Sequence, residues 1–332
     1  FLGVGGMQIF RAEMPGPSKD RLTPRITTTA KLLWGVYLLL SVLEAVLLRF
    51  VGGMGWFDAV CHTFTTMATG GFSTRSASIG AFNSAAVDWI ITFFMFLAGI
   101  KFSLHYRALT GKPGAYWRDA EFRFYAILLL VVISVITLNV YVADLASFGA
   151  SLRQAAFTTV SIVTTTGFAT ADFDQWPEAV RILLVGMMFF GGCAGSTGGS
   201  MKIVRVYIIV KMMIREIKVF MRPSAVIQPK LGGKPIEPEI IAHICAFFAI
   251  FVLVFALGSF IMTFFTPNLE TAATSVIATL GNIGPGLNAV GATQNYAAIP
   301  VAGQAVLTFL MLLCGLGLLT VSVFFLPLFL KG

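Results

Sequence analysis

Charged residues are scarce in this chain. Only 11% of its 332 residues are Asp, Glu, Lys or Arg, whereas 57% are hydrophobic and 31 are Phe. Soluble domains carry charge at about a quarter of their positions, so this composition excludes an ordinary soluble protein. Apolar runs long enough to cross the roughly 30 Å hydrocarbon core of a bilayer predict an all-α membrane protein. The predicted spans are 30–50, 85–107, 123–146, 181–214 (interrupted), 238–266 and 302–330, and residues 1–10 resemble the tail of a further helix.

Cysteine and histidine are also rare. The four cysteines (Cys61, Cys193, Cys245 and Cys314) and three histidines show neither paired nor metal-ligand spacing, which is typical of structural use in helices. The sequence contains no recognisable nucleophile–base pair, paired carboxylates or metal cluster. We therefore predict that the protein is not an enzyme and has no tightly bound cofactor.

The net charge of +8 is unevenly distributed. Segments 11–31, 101–123 and 202–234, together with Lys331, hold 19 of the 23 Lys and Arg residues. This is the pattern of basic cytoplasmic loops alternating with outer loops of low positive charge, and it favours contact with lipid headgroups over nucleic acid. Lys101, near a helix end, is expected to extend towards the cytoplasm or to serve in a pore. Asp172, Asp174 and Glu178 either concentrate cations outside or form a solvated loop.

Threonine–glycine turns recur three times, at 67–74, 163–170 and 278–284. Each follows a short amphipathic segment (55–68, 151–164 and 268–278) that is too short to span a bilayer, which predicts half-helices entering from the outer face. We align Gly71, Gly167 and Gly281 as equivalent positions. Internal repeats of this size predict units packed around an axis.

Irregular backbone at membrane depth is tolerated only where protein buries it or water lines it. Glycine permits successive carbonyl groups to point the same way, and such carbonyls can replace the water shell of a cation such as K⁺. The C-terminal ends of the half-helices would add partial negative charge. The predicted ion-filter residues are Thr69, Gly70, Gly71, Thr165, Thr166, Gly167, Thr279, Leu280 and Gly281.

A glycine-rich run interrupts the span predicted over 181–214. It consists of Gly191, Gly192, Cys193, Ala194, Gly195, Ser196, Thr197, Gly198, Gly199 and Ser200. Five glycines should unwind a helix, because each disfavours it by about 1 kcal/mol relative to alanine. A phosphate-binding loop does not fit, because Lys202 does not directly follow a glycine and no strand precedes the run. A glycine face between closely packed helices is the alternative to a flexible loop.

Three stretches carry a resemblance to a known family. They are Gly-Gly-Met-Gln-Ile-Phe-Arg-Ala-Glu-Met-Pro-Gly-Pro (5–17), the glycine-rich run at 191–200, and Gly-Asn-Ile-Gly-Pro-Gly-Leu (281–287). Together with the turns, they resemble the Trk/Ktr/HKT superfamily of cation transporters, and within it the TrkH-type potassium-uptake subunits.

That resemblance implies four helix–pore loop–helix repeats around one pore. Residues 1–28 would end the first repeat, and 29–115, 116–235 and 236–332 would be the second, third and fourth. The first filter turn is absent from the sequence and is expected in a preceding segment or a separate chain.

The resemblance also implies potassium translocation across the bacterial inner membrane. It implies gating by residues 191–200, docking of a cytoplasmic TrkA-type nucleotide-binding ring on 202–234, and a homodimer. An ion-coupled symporter is the alternative; it should show inverted repeats, whereas these repeats run in one direction. Preference between K⁺ and Na⁺ stays open. The chain departs from the family at Gly315 and Gly317, where members usually carry Arg and Glu.

Overall fold

The computed structural model describes residues 26–222 and 227–315. The predicted helix tail at 1–10, most of the last repeat's second helix and Gly317 lie outside the described residues. The helices in chain order are α1 (Ile26–Phe50), α2 (Trp56–Met67), α3 (Ala85–Ala98), α4 (Phe102–Leu109), α5 (Ala115–Arg118), α6 (Ala120–Val142), α7 (Phe148–Val163), α8 (Glu178–Met188), α9 (Ile203–Met221), α10 (Pro238–Met262), α11 (Leu269–Leu280) and α12 (Val301–Gly315). A short hairpin, β1 (Lys230–Leu231) and β2 (Lys234–Pro235), separates α9 from α10.

Three described helices, α1, α6 and α10, are long and apolar enough to cross a membrane. Their outer faces expose large hydrophobic side chains such as Trp34 and Leu130, which are 64% and 65% exposed. Apolar faces of this extent suit contact with lipid rather than water. The all-α membrane architecture predicted from the sequence is confirmed in these residues.

The span predicted over 85–107 is not a continuous helix. It consists of α3 and α4, which meet at an angle of 101°. The bend falls at Gly99, where a β-carbon would overlap the Tyr125 hydroxyl and lie 2.8 Å from the methyl group of Thr164. The helix therefore bends at a residue whose backbone lies so close to Tyr125 and Thr164 that there is no room for a side chain. Because apolar residues continue on both sides, composition alone did not reveal the break.

The three short segments predicted as half-helices are helices α2, α7 and α11. Each packs between the helices that precede and follow it: α2 between α1 and α3, α7 between α6 and α8, and α11 between α10 and α12. Helix α7 is the most enclosed of the three, and every residue from 155 to 163 is buried. The centre of the described core therefore lies around α7, and its C-terminal end delivers the chain to the second turn.

Capping of α11 leads to a stability prediction. Asn268 is the N-cap, and its side chain accepts a hydrogen bond from the Thr271 amide at 2.8 Å. Asn268→Ala should lower the stability of the folded protein by about 1 kcal/mol, the usual cost of losing an N-cap. Ser84 caps α3 at 3.5 Å, so Ser84→Ala should cost less. Thermal unfolding of both variants in detergent measures the difference, and an equal effect would contradict the assignment.

Candidate functional site: three backbone turns and a glycine loop

The three turns share one hydrogen-bonding pattern. In each, a carbonyl in the last turn of the half-helix accepts hydrogen bonds from two successive amides beyond the helix end. The Thr65 carbonyl accepts from the amides of Gly70 (2.7 Å) and Gly71 (3.2 Å). The Ser161 carbonyl accepts from Thr166 (2.9 Å) and Gly167 (3.3 Å). The Ala278 carbonyl accepts from Ile283 (2.8 Å) and Gly284 (3.4 Å). We call these segments turn A (65–71), turn B (161–167) and turn C (278–284).

Backbone angles give the same equivalence. The first residue with positive φ is Thr69 in turn A, Thr165 in turn B and Asn282 in turn C, with φ of 52°, 57° and 54°. Two residues later, Gly71, Gly167 and Gly284 have φ of 66°, 83° and 107°. Glycine tolerates this region, and asparagine does so better than most residues. The common pattern is therefore Thr or Asn, then any residue, then Gly.

The predicted alignment of turn C is wrong by three residues. Gly281 has φ of −80° and caps α11, so it corresponds to Ala68 and Thr164 rather than to Gly71. The residues of turn C that match turns A and B are Asn282, Ile283 and Gly284, in place of Thr279, Leu280 and Gly281. Two glycines lie three residues apart here, and the sequence comparison selected the first. The asparagine was the signal that would have identified the correct one.

The turns pack against one another in chain order. A β-carbon on Gly71 would overlap the Thr166 carbonyl oxygen of turn B, and one on Gly167 would overlap the Ile283 carbonyl oxygen of turn C. A β-carbon on Gly284 would have no heavy atom of the described residues within 4 Å. Each contact thus places a glycine of one turn on a backbone carbonyl of the next, and only glycine allows so close an approach.

Side-chain hydroxyl groups donate hydrogen bonds to backbone carbonyls in or directly after each turn. The Thr65 hydroxyl donates to the Phe72 carbonyl at 2.8 Å, and the Ser161 hydroxyl donates to the Phe168 carbonyl at 2.7 Å. Turn C has Ala278 at this position and is supported differently. There the Tyr296 hydroxyl donates to the Gly284 carbonyl at 2.6 Å, and burial raises the pKa of this tyrosine. Tyr296 was missed in the sequence because it lies 12 residues beyond the turn.

The loops that follow the turns are joined by hydrogen bonds. The Gly80 amide, after turn A, donates to the Ala169 carbonyl, after turn B, at 3.1 Å. The Asp174 carboxylate accepts from the Asn288 amide at 3.0 Å, which joins the loops after turns B and C. Burial raises the pKa of Asp174, and the hydrogen bond from Asn288 opposes that shift. Asp174 therefore braces a loop, a role that neither sequence interpretation of the acidic residues included.

His62 has the structural role expected of it. Its Nδ1 lies 2.7 Å from the Asp58 carbonyl, which can only accept, so Nδ1 carries the proton. Its Nε2 then accepts from the Ser73 hydroxyl at 2.9 Å. The Asp58 carboxylate also accepts from Thr74 (2.6 Å) and Arg75 (3.1 Å). These contacts fix the chain immediately after turn A.

The glycine-rich run 191–200 is a loop between α8 and α9, as predicted, and it lies against turns B and C. The Gly199 amide donates to the Thr165 hydroxyl at 2.6 Å. A β-carbon on Gly198 would lie 2.9 Å from the Thr164 carbonyl oxygen, and one on Gly199 would lie 2.8 Å from that of Gly281. The loop therefore approaches the two turns from the side of their helix ends, backbone against backbone.

The opposite side of the loop meets the bend between α3 and α4. The Cys193 amide donates to the Gly99 carbonyl at 2.9 Å, and the Thr197 hydroxyl donates to the Ala98 carbonyl at 3.3 Å. Lys202 donates to the carbonyls of Ser196 and Gly198. A phosphate-binding loop directs amides inward instead, so this arrangement supports the exclusion made from the sequence.

Lys101 neither extends to the cytoplasm nor enters a pore. It is only 7% exposed, and its ammonium group pairs with Asp119 at 3.0 Å and with Glu121 at 2.8 Å. The sequence prediction considered the helix end but not these two acids, which follow 18 and 20 residues later.

Comparison with known families decides the family. The TrkH family, described as "Cation transport protein", matches residues 1–329.

The chain belongs to the TrkH family.

Curated relatives include Trk system potassium uptake protein TrkH of Salmonella typhimurium, 41% identical over 335 residues that cover 99% of this chain and 68% of that protein. TrkH of Halomonas elongata is 42% identical over 330 residues, with the same coverage of each chain. The crystal structure of the potassium transporter TrkH from Vibrio parahaemolyticus superposes with a TM-score of 0.86 at 35% identity, covering 93% of this chain and 66% of that one. The chain thus spans about two thirds of the length of these relatives.

Membership of the TrkH family confirms two predictions. The resemblance to TrkH-type potassium-uptake subunits is correct, and this is a family of transporters rather than enzymes. The match to a solved TrkH transporter also confirms the helical membrane fold.

Proposed function

We propose that this chain forms three of the pore-loop repeats of a potassium translocator in the bacterial inner membrane. One observation carries the proposal: three turns with the same backbone pattern end three half-helices, and the glycines of turns A and B each pack on a carbonyl of the next turn. Relatives that span the whole chain are named potassium uptake proteins.

The proposed filter consists of backbone carbonyls rather than charged side chains. K⁺ enters such a filter when oxygen atoms replace its hydration shell. The C-terminal ends of α2, α7 and α11 all lead into the turns, and each contributes roughly half an electron of partial negative charge. The filter residues we propose are Thr69, Gly70, Gly71, Thr165, Thr166, Gly167, Asn282, Ile283 and Gly284.

The proposed gate is the loop 191–200. Its contacts with turns B and C support this proposal, because a loop against the helix ends of these turns would obstruct ions that leave the proposed filter. The loop is held by hydrogen bonds to the Gly99 carbonyl and the Thr165 hydroxyl rather than by a regular helix. Because these hydrogen bonds join the loop to other segments and not to a helix of its own, the loop can change position without unwinding a helix.

The proposed partner is a cytoplasmic nucleotide-binding ring of the TrkA type, docked on the basic segment 202–234. The described parts of this segment, 202–222 and 227–234, contact each other: Lys211 donates to the Lys230 carbonyl at 2.6 Å, and Arg215 donates to the Ile227 carbonyl at 2.8 Å. The hairpin therefore lies against α9, which continues directly from the gate loop. Contact with anionic lipid headgroups and a homodimeric assembly complete the proposal.

The transport assay that tests the function uses the full-length protein, expressed in a bacterium lacking its own potassium-uptake systems. We expect growth at low external K⁺ and Rb⁺ uptake that K⁺ inhibits more strongly than Na⁺. An empty vector and the Gly53→Ala variant described below serve as controls. Equal inhibition by both ions, or no uptake from a correctly inserted protein, would contradict the proposal.

Ion-coupled symport is the second candidate, because one observation favours it. Glu44, on α1, is completely buried and forms no ion pair among the described residues; the Thr66 side chain lies beside its carboxylate. Intramembrane acids commonly serve proton or ion coupling. Glu44→Gln should leave K⁺ uptake within about twofold of wild type if transport is passive. Loss of uptake driven by a pH gradient, with passive K⁺ flux retained, would favour symport. Proteoliposomes with and without a pH gradient provide the measurement.

A further inference from the structure

Glu121 connects two points of the chain that flank the gate loop. It lies in the first turn of α6 and is only 1% exposed. One carboxylate oxygen, Oε1, accepts hydrogen bonds from the Ala194 amide at 2.7 Å and the Val204 amide at 3.1 Å. Ala194 is inside the loop, and Val204 is in the first turn of α9. A single oxygen atom therefore joins the loop to the start of the helix that follows it.

The other oxygen of Glu121 connects the loop to the α3–α4 bend. Oε2 lies 2.8 Å from the Lys101 ammonium group, which also pairs with Asp119 at 3.0 Å. Asp119 in turn caps α6 by accepting from the Phe122 amide at 2.9 Å. Lys101 stands at the bend, two residues after Gly99, whose carbonyl accepts from the loop residue Cys193. Bend, loop and α9 thus meet at one buried carboxylate.

Energetic considerations make this arrangement sensitive to small changes. A buried charge is tolerated only when it is paired and hydrogen-bonded. Removing one partner of a buried ion pair is strongly destabilising, because the remaining charge is left uncompensated. Movement of the loop away from Glu121 would leave the carboxylate with Lys101 but without one or both amide donors.

We propose that Glu121, paired with Lys101, is a clamp that holds the loop 191–200 in its blocking position. Glu121 is a positioning residue: it acts through the loop and does not contact the ion path. Displacement of α9 moves the Val204 amide, and the same oxygen also holds Ala194, so force on the basic segment 202–234 reaches Ala194 through Glu121, alongside the bonds from Lys202 to the carbonyls of Ser196 and Gly198. This inference rests on the proposed gate, but the position of the loop can be measured without ion flux.

Cys193 provides that measurement. It lies in the loop beside Ala194 and is completely buried, whereas Cys245 on α10 is exposed. In the full-length protein in membranes, we would treat with N-ethylmaleimide and quantify modification of each cysteine by peptide mass spectrometry. Glu121→Ala should accelerate modification of Cys193 by at least about tenfold, equivalent to about 1.4 kcal/mol, and leave Cys245 unchanged. Glu121→Gln, which keeps an acceptor oxygen, should give an intermediate rate.

Lys101→Met is the second variant, in case Glu121→Ala does not fold, and it should also accelerate labelling of Cys193. The matched control is the ion pair between Arg153 and Asp88, at 3.1 Å, which joins α7 to α3 and does not touch the loop. The double variant Asp88→Asn/Arg153→Gln should leave Cys193 protected. Elution as a single peak with an unchanged Cys245 rate shows that each variant is folded.

The outcomes separate the clamp from the gate. Unchanged Cys193 labelling in folded Glu121→Ala, Glu121→Gln and Lys101→Met variants would overturn the clamp. Equal acceleration in the Arg153–Asp88 control would also overturn it, because the effect would then reflect general loosening. Faster labelling with a several-fold rise in K⁺ flux without the cytoplasmic regulator would support both ideas. Faster labelling with unchanged flux would support the clamp and reject the loop as the gate.

Discussion

Replacing Gly71 or Gly167 with alanine should reduce selective potassium uptake by at least about tenfold, a change of about 1.4 kcal/mol in the transport barrier. Each new methyl group would overlap a backbone carbonyl oxygen of the neighbouring turn, at Thr166 or Ile283. Each alanine would also occupy a backbone with φ of 66° or 83°, which costs roughly 1–2 kcal/mol. Both effects move the carbonyls that we propose to contact the ion.

The matched control for these variants is Gly53→Ala. Gly53 has φ of 72°, similar to that of Gly71, but no described heavy atom lies within 4 Å of its β-carbon position. This control imposes the backbone strain without the overlap, at a site outside the turns. Gly284→Ala should have an intermediate effect, because it combines strain with no described overlap. Rubidium uptake with K⁺ and Na⁺ as competitors measures all four, and unchanged selectivity at Gly71 and Gly167 would reject the filter.

Deleting residues 195–197 should raise K⁺ flux in the absence of the cytoplasmic regulator by about tenfold or more. These residues form the part of the loop that contacts the α3–α4 bend, where Gly195 accepts from the Phe102 amide and Thr197 donates to Ala98. Without them the loop loses its support on one side and should leave its blocking position. Flux into proteoliposomes containing the purified full-length protein provides the measurement.

A deletion of equal length in an outer loop controls for nonspecific disruption. Residues 292–294 follow the short helix after turn C, and Thr293 and Gln294 are exposed. Their removal should leave flux dependent on the regulator. Normal basal flux after deletion of 195–197, in a protein that still responds to the regulator, would show that this loop does not obstruct the path.

The pattern of neighbouring residues in the sequence was sufficient to predict much of the architecture. Apolar run length predicted α1, α6 and α10, and the glycine density at 191–200 predicted the loop, because both depend on neighbouring residues. The bend at Gly99 was not predictable, because it arises from Tyr125 and Thr164, which are distant in sequence.

In the candidate site, too, features that depend on neighbouring residues could be predicted, and features that depend on distant contacts could not. In turns A and B the Thr-x-Gly of the sequence carries the shared backbone pattern, whereas in turn C the Thr-x-Gly at 279–281 lies at the helix end and Asn282-Ile283-Gly284 carries the pattern. Only the position where α11 ends distinguishes Gly281 from Gly284. The role of Glu121 depends on contacts 73 and 83 residues away, which no single-sequence pattern encodes.

The packing of the turn A and turn B glycines on carbonyls of the next turn has an evolutionary consequence. Gly70, Thr166 and Ile283 occupy the same structural position, yet their side chains differ in size and polarity because one chain encodes each separately. In an assembly of identical subunits, any substitution at such a position would appear in every subunit at once. In the filter that we propose, a mutation alters one side of the ion path and leaves the others unchanged. Ion preference can therefore be adjusted in small increments, one residue at a time, without rebuilding the whole site.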